Sequence, residues 1–345
     1  MRRLDASLQL LAPLALVALA SLVGTLVSTS TETYVINALV NVAIVVALYV
    51  FIGNSGVVSF GHISFVAVGA WAAGVLSMPV QEKPAIMPHL FGLLGDHTIG
   101  NVWSLALAAA VGAAYALVVG LPLMRLSGLA AGIATFGVLE ITHNVLRYWE
   151  RIGPGLNTFS AVPETTGLRE AALGAGLAVV VAFAYRRLRF GRLLSATRED
   201  SAAARAVGVS VYRQRLVAFV LSGAIAGFAG GLLVHMLPVN TESVYLDLTF
   251  ITLAMLVIGG MTSLWGAVVG ALAVSGLDSL LAEAENGLDL AGRTIDLPAG
   301  TRIVVVGFLM GLVLVVRPSG LTGGREFSLG RLRPQPPAVV QEESS

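Results

Sequence analysis

The chain contains no cysteine, so disulfide bonds and thiol catalysis are excluded. It has one lysine, Lys83, in the string QEKPAI. A nucleotide-binding P-loop needs its lysine directly after a glycine-rich turn. The chain has no such loop, and ATP hydrolysis by this polypeptide is excluded. Charge is scarce as well, at 12% of 345 residues, against about 25% in an ordinary soluble domain. HExxH, a zinc-type His/Cys cluster and a nucleophile elbow are all missing. Nothing supports an enzyme or a resident metal or other cofactor.

Apolar sequence is what the chain has in abundance, at 56% of its residues. Runs near twenty residues recur along it, each long enough to cross the ~30 Å hydrocarbon core of a bilayer. The runs are continuous, whereas a membrane β-barrel needs alternating ten-residue strands. The expected fold class is therefore all-α, a polytopic helical membrane protein with about ten transmembrane helices. The spans are placed at 8–28, 34–52, 60–78, 102–121, 128–146, 171–188, 214–236, 246–262, 265–282 and 302–317. The first of these starts like a secretory signal, with Arg2, Arg3 and an Ala18-Leu19-Ala20 site. Its apolar run continues to Val27 and further spans follow, so it reads as an uncleaved first span.

Ten spans put both termini on one side. With the N-terminus cytoplasmic, 15 of the 21 Lys and Arg residues fall on the cytoplasmic side, eight of them between Arg186 and Arg215. Retained basic residues mark the cytoplasmic face. Both termini are thus expected in the cytoplasm, with outer loops at 79–101, 147–170 and 283–301 long enough to dock a partner. Residues 1–321 form the membrane domain. Residues 322–345, polar and rich in proline, are expected to be a disordered cytoplasmic tail.

Two segments stand out. The first is the basic loop, RRLRFGRLLSATREDSAAARAVGVSVYRQR (186–215). Topology explains its arginines but not the residues among them. Helix formers run from Ser195 to Val207, and Gly208 stands where a left-handed helix cap takes glycine. A short helix along the membrane face is expected. Ala202, Ala203 and Ala204 would admit a partner closely, with Arg198, Glu199 and Arg205 fixing orientation at the rim. A partner that changes shape could push such a helix and move the spans on either side. The second segment, GNSGVVSFGHISFVAVGAW (53–71), places Gly53, Gly56, Ser59, Gly61 and His62 between two spans. Glycine and polar groups are costly there, and non-helical backbone at membrane depth survives only where it is buried in protein or lines a cavity. Gly53–His62 is either a break beside a translocation path or a tight cytoplasmic turn.

Other polar positions are few. Asn37 and Asn41 share one helix face and suit a bond between helices. Glu140 is an intramembrane carboxylate, a functional candidate by default, though His143 or Arg147 could pair with it near the outer interface. Asp278 is similar. Gly223, Gly227 and Gly231, Gly266 and Gly270, and Gly307 and Gly311 recur at intervals of four, a pattern of close helix packing.

Ala203-Ala204 followed by Gly208 resembles the "EAA" loop of ABC-importer permeases, with Ala202 in place of the usual glutamate. GRLLSATREDSAAARAVGVSVYRQRLVAFVLSGAIAGFAGGLL, the glycine segment with Ser59, Gly61 and His62 in register, IGGMTSLWGAVVGAL (258–272) and RPSGL (317–321) together resemble the branched-chain amino-acid permease family in its LivM-type subunit. LSGLAAGIATFGVLEITHNVL (126–146) matches more loosely. This resemblance implies a permease subunit of a bacterial plasma (inner) membrane importer, working by alternating access. It implies a second related permease subunit, two cytoplasmic ATP-binding subunits that use ATP and Mg, an external substrate-binding protein and membrane lipid as partners, and no nucleic acid. Branched-chain amino acids are the implied cargo, with urea, short amides or other small organic acids as alternatives. An ion-coupled secondary transporter using Glu140, Asp278 and His62 is the competing class, but it has no need of the alanine-faced helix. A non-transporting scaffold explains neither that helix nor the glycine segment.

Overall fold

The computed structural model describes residues 2–27, 29–285, 288–290, 293–295, 298 and 300–327. Among the described residues seven helices are long and apolar enough to cross a membrane. They are α1 (Arg2–Leu26), α2 (Thr29–Leu48, extended by the π-helical turn Tyr49–Gly53), α6 (Asn101–Leu123), α7 (Gly128–Tyr148), α8 (Leu168–Arg187), α11 (Val211–Val234) and α13 (Leu264–Glu285). Three shorter apolar helices, α3 (His62–Ser77), α12 (Leu246–Gly259) and α14 (Thr301–Val316), bring the apolar helices of the described residues to ten, one at each expected span. At 1.5 Å per residue α3 and α12 reach only about 24 and 21 Å, so the spans drawn at 60–78 and 246–262 are too long. Glycine-rich connections, not helix, fill the difference.

The ten helices alternate in direction. One face of the bundle carries the connection 54–61, the turn 260–263, the segment 317–327 and two helices of the basic loop, α9 (Arg189–Glu199) and α10 (Ser201–Ala206). It is called the basic face below. The opposite face carries two one-turn helices, α4 (Lys83–Ile86) and α5 (Gly92–Gly95), and a hairpin of β1 (Leu288–Leu290) and β2 (Arg293–Ile295), which the sequence did not suggest.

Small residues set the core. The buried positions of α6 include Ser104, Ala108, Gly112, Ala116 and Gly120, every fourth residue, and the middle three face Gly223, Gly227 and Gly231 of α11. A Cβ on Gly112 would lie 2.4 Å from the Gly223 carbonyl oxygen, and one on Gly227 would lie 2.4 Å from that of Ala108. On its other side α11 meets α3 more closely still, and a Cβ on Gly230 would run into the Val66 oxygen. Lipid tails are as apolar as leucine, so close van der Waals approach, not hydrophobic exclusion, holds these helices together. Gly266 and Gly270 pack α13 on α12 in the same manner. Gly307 and Gly311 do not follow the expected pattern, because nothing lies within 4 Å of a Cβ built on either. Asn41 donates to Ser275 Oγ at 3.2 Å and joins α2 to α13 as expected.

On the opposite face the single lysine holds the loop. Lys83 is 2% exposed, and its Nζ donates to the carbonyls of Leu94 (2.7 Å) and His97 (2.6 Å). Hydrogen bonds to a charged donor contribute about 1.5–3 kcal/mol. Lys83→Met is therefore expected to lower the melting temperature and to speed limited proteolysis within residues 79–100. His235 is a second fastening there, with Nδ1 3.0 Å from the Pro163 oxygen and Nε2 2.9 Å from Ser104 Oγ. Nδ1 donates to the carbonyl, and the Ser104 hydroxyl bridges from Nε2 to the Asn101 carbonyl oxygen at 2.7 Å.

Candidate functional site at the basic face

The basic loop is broken where one continuous helix was expected. Asp200 adopts an extended conformation (φ −147°, ψ 105°) between α9 and α10. Its Oδ1 accepts from the amides of Ala202 (2.8 Å) and Ala203 (2.9 Å) and caps the second helix, the usual role of aspartate at a helix start. Those two amides hold its carboxyl below the ordinary carboxylate range. At the other end Gly208 has φ +82°. Its amide donates to the Arg205 carbonyl (3.0 Å) and that of Val209 to the Ala204 carbonyl (3.0 Å), the paired bonds of a Schellman cap.

Both caps fix which side α10 presents. Ala202, Ala203, Arg205, Ala206 and Val207 are exposed, as is Glu199 at the end of α9. Ala204 is 7% exposed and faces the bundle, so it does not belong to the docking surface drawn from the sequence. Arg198 is exposed at the rim but is also tied to the bundle. Its guanidinium turns inward and donates to the Gly53 carbonyl at 2.6 Å, while its stem lies against Gly56.

That bond joins the two segments singled out in the sequence. α2 ends in a π-turn whose carbonyls are satisfied one by one. Asn54 Nδ2 donates to Val50 O (3.0 Å), the Gly56 amide to Ile52 O (2.9 Å) and Arg198 to Gly53 O. Ser195 of α9 donates to Asn54 Oδ1 at 3.4 Å. Neither Gly53 nor Gly61 has room for a side chain. A Cβ on Gly53 would lie 2.5 Å from the Tyr49 ring and 2.6 Å from Met261 O, and one on Gly61 would lie 2.4 Å from Thr135 O of α7. The Phe60 amide donates to Thr135 Oγ1 at 3.2 Å. Ser59 Oγ sits 2.8 Å from His62 Nδ1, and the imidazole is packed among Phe51, Phe65 and Phe219. Residues 54–61 are thus a tight connection at the basic end of the bundle, locked to α7, α9 and the 260–263 turn. A crevice of about 540 Å³ opens beside it, lined by Gly56, Val58, Arg198, Asp200, Arg215 and Met261 among others.

Glu140 lies apart from this site, in the half of α7 toward the opposite face. It accepts from the Tyr245 hydroxyl and, at 3.4 Å, from Asn144. His143 and Arg147, its expected partners, approach Glu242 at 3.6 and 2.6 Å. Asp278 faces Arg302 of α14 at 3.7 Å. Glu140, His62 and Asp278 therefore have separate partners and do not form one relay. Among the described residues no cluster of three or more His, Cys, Asp or Glu side chains could hold a metal.

Comparison with known proteins places the chain in a family. A family model described as branched-chain amino acid transport system / permease component matches residues 30–316. The chain is 28% identical to the high-affinity branched-chain amino acid transport system permease protein LivM of Salmonella typhimurium strain LT2, over 331 residues that cover 86% of this chain and 69% of that protein. LivM of Escherichia coli K12 is 27% identical with the same coverage. The probable branched-chain amino acid transport permease protein LivH of Methanocaldococcus jannaschii is 32% identical over 152 residues, 42% of this chain and 44% of that protein. The family match takes in the glycine connection, the basic loop and α14 alike, and the chain belongs to the branched-chain amino acid transport system permease component family.

Proposed function

We propose that this permease is the membrane subunit of an ATP-driven importer for branched-chain or related amino acids, worked from its basic face by separate ATPase subunits. The observation that carries the reading is α10. It is a six-residue helix, Ser201–Ala206, capped at both ends, with Ala202, Ala203 and Ala206 turned outward. Its base is tied through Arg198 to the carbonyl end of α2. Small side chains let a partner groove approach closely, and the caps make the helix a stiff handle.

In this reading the basic face is cytoplasmic, both termini lie in the cytoplasm and the protein resides in a bacterial inner membrane. Two ATP-binding subunits supply ATP and Mg chemistry, a second related permease completes the pore, and an external binding protein delivers cargo to the opposite face. Closure of the ATPase pair displaces α10. Arg198 transmits the displacement to Gly53, and the bundle changes the side to which it opens. The relatives' names refer to branched-chain amino acids, and this supports that cargo class.

Ala203→Asp tests the reading. The side chain is exposed, so the variant is expected to fold and melt like the parent. It should fail to retain the ATPase subunits on purification and should lose ATP-driven uptake of L-leucine in proteoliposomes by tenfold or more. Unchanged uptake, or accumulation by the permease alone on an ion gradient, would overturn it.

A further inference from the structure

Two stretches that carried the family resemblance, IGGMTSLWGAVVGAL (258–272) and RPSGL (317–321), enter the site described so far only through Met261. They are the two halves of one clamp. After α14 the chain folds back under the α12–α13 turn. The Leu321 amide donates to Ile258 O at 2.7 Å, and Thr322 donates to Gly259 O from its amide (3.2 Å) and its hydroxyl (2.8 Å). Thr262 Oγ1 donates in return to Gly324 O at 2.8 Å. The approach is close enough that a Cβ on Gly320 would lie 2.6 Å from Gly260 Cα, and both residues have positive φ, +72° and +120°.

The clamp ends on Glu326. Its carboxylate accepts from the first amides of α13, Leu264 (2.8 Å) and Trp265 (3.2 Å), and pairs with the Arg186 guanidinium. The Glu326 side chain is 8% exposed. A carboxylate at a helix N-terminus is held by the free amides and the helix dipole together, so Glu326 belongs mechanically to α13. Arg186 belongs to the basic loop, at the end of α8 and three residues before α9. Two arginines therefore bracket α9. Arg198 near its end holds α2, and Arg186 before its start holds α13.

We propose that residues 317–327 are a strap that carries motion of the basic loop into α13, with Glu326 and Arg186 as the joint. The first eleven-residue helix of the loop then drives two membrane helices, not one. The 322–345 tail expected from the sequence to be disordered begins inside this strap. Its remainder from 328 lies outside the described residues. The proposal rests on the ATP-coupled reading above, and Glu326 is a positioning residue that need not touch cargo.

Glu326→Gln keeps an oxygen for the α13 amides and removes the charge pair. Arg186→Gln removes the pair from the other side and leaves the cap intact. In proteoliposomes holding the assembled importer, each variant is expected to melt somewhat lower, since one charge of a largely buried pair is lost, but to keep its ATPase rate while L-leucine moved per ATP falls by tenfold or more. The double variant should be no worse than either single one, as for two halves of one interaction. Arg186→Lys should recover part of the loss. The strap is overturned if leucine moved per ATP is unchanged in both single variants, or if their losses multiply in the double. Should Glu326→Gln not fold, Arg186→Gln alone decides. A parent assembly with no ATP-driven uptake would sink the importer reading instead. Amide exchange at Thr322–Glu326 then judges the strap: about tenfold faster in Arg186→Gln supports the joint, and unchanged exchange refutes it.

Discussion

Gly227→Leu is expected to leave no folded permease in detergent extracts, whereas Gly307→Leu should extract and melt like the parent chain. Both glycines sit in the same four-residue spacing, so sequence alone treats them as equals. The difference lies in what each faces. A Cβ on Gly227 meets the Ala108 oxygen at 2.4 Å and Gly112 Cα at 3.0 Å, and both are backbone. A backbone atom cannot rotate away, so α6 and α11 must separate along the whole seam that Gly112, Gly223 and Gly231 keep tight. Extra methylenes forced into a packed core typically cost about 1–3 kcal/mol even where side chains can yield. Here the cost is at or above about 3 kcal/mol, a large part of the 5–15 kcal/mol that typically stabilises a native protein. Gly307 has nothing within 4 Å, and surface changes of that type usually stay within about 0.5 kcal/mol. Fluorescence-detected size exclusion and thermal melts of the two variants check the contrast. A well-behaved Gly227→Leu protein would show that the α6–α11 seam is not as close as described.

The second large effect is expected at Arg198. Arg198→Ala removes a 2.6 Å charged hydrogen bond from the Gly53 carbonyl. Such bonds contribute about 1.5–3 kcal/mol, which is about tenfold to a hundredfold in the population of the joined arrangement. ATP-driven uptake should fall by that factor, while ATPase subunits still copurify, since the outward face of α10 is untouched. Arg198→Lys keeps the charge but not the planar fork and should fall between. Loss of ATPase binding in Arg198→Ala would mean that the residue serves the docking surface after all.

Local chemistry was legible in the sequence, and chemistry between distant residues was not. Gly208 could be read as a cap because a left-handed helix end is decided within six residues. Asp200 carried an equally local signal, an aspartate ahead of Ser-Ala-Ala-Ala, and reading straight through it merged two helices into one. The inward turn of Arg198 depends on Gly53, 145 positions away, and the pairing of Arg186 with Glu326 spans 140. No spacing rule reaches that far. Glu140 was expected beside His143 or Arg147 because those lie on its own helix, yet its partner Tyr245 comes from another connection. The spans drawn at 246–262 and 60–78 also took in Gly260–Thr262 and Phe60–Gly61 as if they were helix, since single glycines scarcely lower an average hydropathy. The order of the apolar helices survived this, because each turn is too short to add or remove one.

The central place of α11 also dictates an order of events during synthesis. α3 and α6 are made early, but the helix that fills the space between them does not begin until Val211. At roughly 5–20 residues per second, the helices up to Leu123 wait on the order of ten seconds in the bilayer with their glycine grooves unoccupied. A nascent chain in that interval exposes close-packing surfaces to lipid and to any other helix nearby. The quality-control machinery of the host membrane therefore meets this protein at its most vulnerable while it is still only half translated.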